Sequence, residues 1–97
     1  MGKRLASTVK RGRRLNGLSL RAAAREAGIN KATIEAIERS QTRRPEPETF
    51  AGLAKALGMS RRDLILPAAL DTLDEWAAAL EVSPGSLLDL LQDFVEP

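Results

Sequence analysis

The sequence predicts an all-α fold, and three observations carry that prediction. Apolar residues recur three and four positions apart through most of the 97 residues, the spacing that lines one face of a helix. No segment shows the strict apolar–polar alternation of a half-buried strand. Gly, Ser, Asn and Pro fall between the periodic runs, where helices stop and start.

A first helix is expected from about Leu5 to Leu15, with Leu5, Val9 and Leu15 on one side and basic residues over the rest. Asn16-Gly17 ends it, because glycine tolerates the left-handed turn that closes helices. Ser19 is the N-cap of a second helix, Leu20 to Ala27, rich in the strong helix former alanine. Gly28 breaks it. Asn30 caps a third helix, Lys31 to about Arg39, with Ile34 and Ile37 as its apolar edge and Ile29 packing just before the cap. After a polar, proline-bearing loop, Glu48 to Leu57 forms a fourth helix that presents Phe50, Leu53, Ala54 and Leu57, closed by Gly58. Ser60 caps a short fifth, which Pro67 ends. Beyond it Leu70, Leu73, Trp76, Ala77 and Leu80 recur at helical spacing, with Trp76 expected in the core. Ser83-Pro84 then opens a last helix carrying Leu87, Leu88, Leu91, Phe94 and Val95. Residues 53–64 echo 76–87, either as a weak internal repeat or because helix–serine–helix corners look alike in any all-α chain. The chain divides into residues 1–66, a compact five-helix domain, and residues 67–97, an acidic helical extension.

Composition narrows the function classes. There is no Cys and no His, so disulfides, thiol nucleophiles, imidazole bases and the usual zinc ligands are all missing. That fits a reducing cytoplasm. No glycine-rich phosphate loop stands out either, so neither an enzyme nor a cofactor is implied. No stretch approaches the roughly 18 apolar residues of a membrane span. The basic start lacks the apolar segment of a signal peptide. The net charge of +2 hides a strong asymmetry. Residues 1–44 hold 12 Lys/Arg against 3 Asp/Glu, residues 45–97 hold 3 against 10, and no basic residue follows Pro67. The front half suits a polyanion and the rear half repels one.

The segment Ala24–Pro45, "AREAGINKATIEAIERSQTRRP", is where these features meet. Ala24 lies where two helices nearly touch, Gly28 takes a turn that a Cβ would strain, and Ile34 and Ile37 fasten the second helix to the body. The outer face (Lys31, Ala32, Thr33, Glu35, Ala36 and Arg39) is left free of core duty. A plain αα-hairpin also has alanine-rich helices and a glycine turn. Three things favour a helix-turn-helix, whose second helix enters a DNA major groove. The inward positions from Leu20 to Ile37 are apolar or small wherever the motif needs it. The positive charge is on the same half of the chain. The small Ala32 and Ala36 face outward, where they let a helix sit deep and contact a thymine methyl.

Residues 5–66 resemble the DNA-binding domain of the phage repressor/Cro (Xre-type) helix-turn-helix family, most closely in "AGINKATIEAIERSQTRRP" and "LAKALGMSRRDLI". The resemblance implies a lambda-repressor-like five-helix domain acting as a sequence-specific transcriptional regulator, a repressor, on a double-stranded DNA operator in the bacterial cytoplasm and nucleoid. It implies base reading by Lys31, Ala32, Thr33 and Ala36, to which Glu35 is added. Lys3, Arg4, Ser19, Arg21, Asn30, Arg39, Arg43 and Arg44 are the candidates for the backbone or minor groove. It also implies an ion pair between Arg13 and Glu38. Where the family often has a glutamine that holds a phosphate, this chain has Leu20, followed by Arg21. Either Arg21 takes the phosphate at longer range or Leu20 only packs. Three roles fit Glu35: orienting Lys31, accepting from a cytosine amino group, or only forming an exposed i,i+4 pair worth a few tenths of a kcal/mol. Lys10, Arg11, Arg14 and Arg25 add affinity without sequence preference, or only solvated charge.

Three uses are open to the apolar stripes of residues 67–97: packing within the chain, homodimer formation, or the start of a second domain. A second functional reading makes the chain a protein–protein module of antitoxin or anti-repressor type that grips a basic partner with this acidic segment.

Overall fold

The computed structural model describes residues 3–41 and 45–95. Within them the chain forms six helices and no strand: α1 (Lys3–Leu15), α2 (Leu20–Ala27), α3 (Lys31–Glu38), α4 (Pro47–Leu57), α5 (Arg61–Ala79) and α6 (Pro84–Val95). Val9, Ala23, Ile34, Leu53 and Leu64 are wholly inaccessible to solvent. They come one from each of α1 to α5, so the core sits where those five helices meet.

Four corners between helices are built alike. Gly17, Gly28, Gly58 and Glu81 each take the left-handed conformation. One residue later the N–H groups of Leu18, Ile29, Met59 and Val82 donate to the carbonyls of Arg13, Ala24, Ala54 and Ala77 at 3.0, 3.0, 2.9 and 3.0 Å, which satisfies carbonyls a helix end leaves open. The residue after that opens the next helix. The Ser60 and Ser83 hydroxyls accept from the N–H of Asp63 and Ser86, both at 3.1 Å. Asn30 holds the corresponding place in front of α3 without a side-chain capping bond. The echo between residues 53–64 and 76–87 is this shared corner.

Helices α2 and α4 approach so closely at Gly52 that a Cβ there would land on the carbonyl oxygen of Ala27. Asn16 ties the end of α1 to the end of α4, its amide donating to Gly12 O at 2.7 Å and Leu57 O at 2.9 Å.

Several expectations are corrected. Leu15 does not share the face of Leu5 and Val9 and is 80% exposed. Ten residues separate it from Leu5, which places it about 280° round the helix. Gly12 takes the inward position instead. Pro67 does not end α5, which runs on to Ala79 and absorbs the helix expected from Leu70. The boundary drawn at residue 67 therefore falls inside one helix. An interior proline costs about 3 kcal/mol, but the helix beyond Pro67 is anchored. Asp71 is buried and accepts the Arg4 N–H at 3.2 Å and the Leu5 N–H at 3.0 Å, so a carboxylate on α5 caps α1. Ala77, six residues further on, is buried. Trp76, its neighbour, is 54% exposed rather than in the core. Of the apolar residues expected to pack in the last helix, Leu87 is buried, while Leu88, Leu91, Phe94 and Val95 are exposed. The radius of gyration, 14.7 Å, accordingly exceeds the ~12.5 Å of a compact chain of this length.

Candidate nucleic-acid interface

The α2–α3 corner presents α3 outward. Gly28, at φ 72° and ψ 30°, closes α2, a conformation open to glycine and strained for a residue with a Cβ. Ser19 opens α2, its hydroxyl accepting from the Ala22 N–H at 3.1 Å and keeping its own proton to donate. Ala24 is 3% exposed beneath the corner. Ile34 and Ile37 are buried, so one face of α3 is committed to the core. On the other face Lys31 and Ala32 are exposed, and Thr33, Glu35 and Ala36 are half-buried. The small residues make this face lean, and Lys31 is the long cation at its front.

The far end of α3 is fixed by an ion pair. Arg13 Nε donates to Glu38 Oε2 at 2.7 Å and Arg13 Nη2 to Glu38 Oε1 at 3.0 Å, a two-pronged contact from α1 to α3. Arg13 Nη1 also donates to the Leu18 carbonyl at 3.0 Å, which draws in the α1–α2 connection. Both side chains are mostly shielded, so solvent screens this pair less than a surface one. The hydrogen bond to Glu38 raises the Arg13 pKa, against a smaller opposing effect of burial.

Lys31 Nζ lies 3.3 Å from Glu35 Oε1. Lys31 is half exposed in this arrangement, so the ammonium stays available at the surface. Arg39 follows α3 and is exposed, as are Arg21 and Arg25 on α2, Asn30 at the corner, and Lys3, Lys10, Arg11 and Arg14 on α1. Lys10, Arg11 and Arg14 line a shallow cleft of about 370 Å³ on the outer side of α1. Arg43 and Arg44 lie outside the described residues.

Arg4 differs from the expectation of a backbone contact. Its guanidinium bonds Asp71 at 3.3 Å and also Asp74, and Asp74 above all raises its pKa. The charge offered to a polyanion by α1 is smaller for it. Asp71 gave no sign of this in the sequence, since its partners lie 66 and 67 positions away.

A family model described as "Helix-turn-helix domain" matches residues 4–65. The chain belongs to that helix-turn-helix family. No curated protein matches the chain, and no solved structure does. The matched helix-turn-helix span covers nearly two thirds of the sequence, and it ends within α5, short of Pro67. Among the described residues no helix is long and apolar enough to cross a membrane, and no cluster of carboxylates is placed to hold a metal.

Proposed function

We propose that this chain is a sequence-specific double-stranded DNA-binding transcriptional regulator of the phage repressor/Cro type, with α1 to α5 as a lambda-repressor-like head and α3 laid in the major groove. One observation carries the reading: the lean outer face of α3, led by Lys31, has no core duty, while Ile34, Ile37 and the Arg13–Glu38 pair hold the helix at a fixed angle. Lys31 reaches guanine O6 or N7, and Ala32, Thr33 and Ala36 approach thymine methyls. Glu35 orients Lys31, in keeping with their 3.3 Å separation. Ser19, Arg21, Asn30 and Arg39 contact phosphates, and the family resemblance assigns Arg43 and Arg44 to the minor groove. Lys3 adds charge from α1. Repression by occupancy of an operator, in the bacterial cytoplasm and nucleoid, is the part of the reading supported by family resemblance rather than by geometry.

Selection of bound fragments from random duplex DNA tests the proposal. The expected outcome is a short enriched motif bound with Kd on the order of 10⁻⁸ M or tighter, weakening steeply with salt. Equal affinity for the scrambled motif would overturn it. A palindromic site would show two copies acting together, a single half-site one copy. Transcription from a promoter carrying the motif separates repression from activation.

A further inference from the structure

α5 carries apolar residues on two sides. Leu64 and Ala77 are buried. Ile65, Leu66, Leu70 and Trp76 are each about half exposed, and with Leu88 and Leu91 of α6 they line an open groove of about 480 Å³ whose lining carries no charged side chain. Apart from Phe50 and Ile65, that lining lies beyond the residues matched by the helix-turn-helix family. α6 packs on α5 and makes no comparable contact with another helix, and Leu87 is its one buried residue among those described. The two helices form a hairpin with one apolar face open, and such a face is buried by meeting another layer of helices.

The face is large enough for association. Its six partly exposed side chains, with the smaller residues between them, offer roughly 600 Å² per copy, the upper end of what a monomer leaves contiguous. Two such faces together would remove about 1,200 Å² from water, the size at which specific interfaces begin.

The pattern on α5 selects the occupant. Asp89 and Asp93 lie round the other side of α6 from Leu88 and Leu91, so two copies can meet at the groove without setting carboxylate against carboxylate. Arg62 is the charged residue of α5 in phase with the groove, and it is about 21 Å along the helix from Trp76. Ala69 is exposed midway between them. Ile65 and Leu73 lie four residues to either side of Ala69, and Arg62 and Trp76 lie seven, so all five share one side of the helix. A two-fold axis over Ala69 makes this arrangement self-complementary. Two antiparallel α5 helices cross at the small alanines, Ile65 lies against the partner's Leu73, and the Arg62 guanidinium lies over the indole of the partner's Trp76. Each contact then occurs twice, as an isologous interface requires. An acidic helix or an anionic bilayer would meet one cation at one end of the groove and none along its lining.

We propose that the α5–α6 groove is the dimer interface of this chain, closed by a second copy about a two-fold axis near Ala69 into a four-helix arrangement. The inference stands on the open face and not on what α3 contacts.

The test uses the full chain without DNA. Sedimentation equilibrium is expected to show a reversible dimer with Kd on the order of 10⁻⁵ M or tighter. Trp76, the only tryptophan, is expected to shift its emission to the red on dilution through that range. Ala69→Glu sets two carboxylates together at the axis and is expected to weaken the dimer at least about tenfold with unchanged circular dichroism. Where that variant folds poorly, cross-linking decides, because the chain has no cysteine of its own. Under mild oxidation Ala69→Cys is expected to give a linked dimer, the axis bringing its two copies within the roughly 4.4–6.8 Å between Cα atoms that a disulfide spans. Ala78→Cys, exposed on the opposite side of α5, is expected to give none. A chain that stays monomeric at about 10⁻⁴ M overturns the proposal. So does a dimer that cross-links at position 78 rather than 69, or that a folded Ala69→Glu chain still forms unweakened. A monomer whose Trp76 emission shifts to the blue with phosphatidylserine vesicles overturns it in favour of a membrane. Duplex binding is read separately: a dimer that selects no DNA motif supports this proposal against the functional reading, and a monomer that selects one does the reverse.

Discussion

At Gly52 a single hydrogen sets how near α4 lies to α2. Gly52→Ala would push a methyl into the Ala27 carbonyl, which is backbone and cannot step aside. A loss of about 3 kcal/mol, measured by urea unfolding, is expected, at the upper end of overpacking costs. The Arg13–Glu38 pair is vulnerable for a different reason. Glu38→Ala leaves a shielded guanidinium without its partner and is expected to cost about 3–5 kcal/mol. The sign of its pH dependence follows from Arg13. Its folded pKa is raised above the ordinary arginine value, so its contribution is complete below that value and lost only as pH rises through the folded one. Unfolding between pH 6 and 9 should therefore show no step that Glu38→Ala removes. On the outer face, Lys31→Ala is expected to relax base preference at about one position, by 1–3 kcal/mol of discrimination. Arg21→Ala is expected to weaken all sequences alike and lower the salt slope by about one. Binding titrations on matched and scrambled duplexes at two salt concentrations separate the two outcomes.

Among the elements, the corners were the most legible part of the fold. Gly28, Gly58, Ser19 and Ser60 act through bonds to residues a few positions away, so their spacing carries the information. The corner between α5 and α6 puts Glu81 in the left-handed seat at φ 58°, where a Cβ costs about 1–2 kcal/mol. Glu81→Gly is expected to recover about 1 kcal/mol of this, seen as a higher Tm. The passage of α5 over Pro67 was illegible because its anchors are not local. Asp71 meets Arg4 and Leu5 only after the chain has folded back on itself, and such contacts override a proline's local preference. Trp76 misled for a related reason. Helical spacing marks which residues share a side of α5, but not which of its two apolar sides meets the core. At the candidate interface, periodicity alone told Ile34 and Ile37 from Lys31 and Ala32. The pairing of Arg13 with Glu38, 25 residues apart, was reached only through the family resemblance.

The molecule as a whole is basic over its first helices and acidic over its last, and Asp71 and Asp74 tie the two parts together through Arg4. The basic residues concentrate on α1 to α3, and every charge after Arg62 is acidic. Such a separation would orient an approaching polyanion before contact. Asp71 links the two parts, and Asp71→Ala is expected to cost about 2 kcal/mol by the loss of a cap and of bonds to a carboxylate, measured by thermal unfolding. The first amides of a helix ordinarily trade their hydrogens with water through fraying, because nothing inside the helix holds them. Here the Leu5 amide is gripped from the far end of the sequence. In deuterated solvent it should keep its proton nearly as long as the amides of the central helices do, and give it up early once position 71 no longer carries a carboxylate.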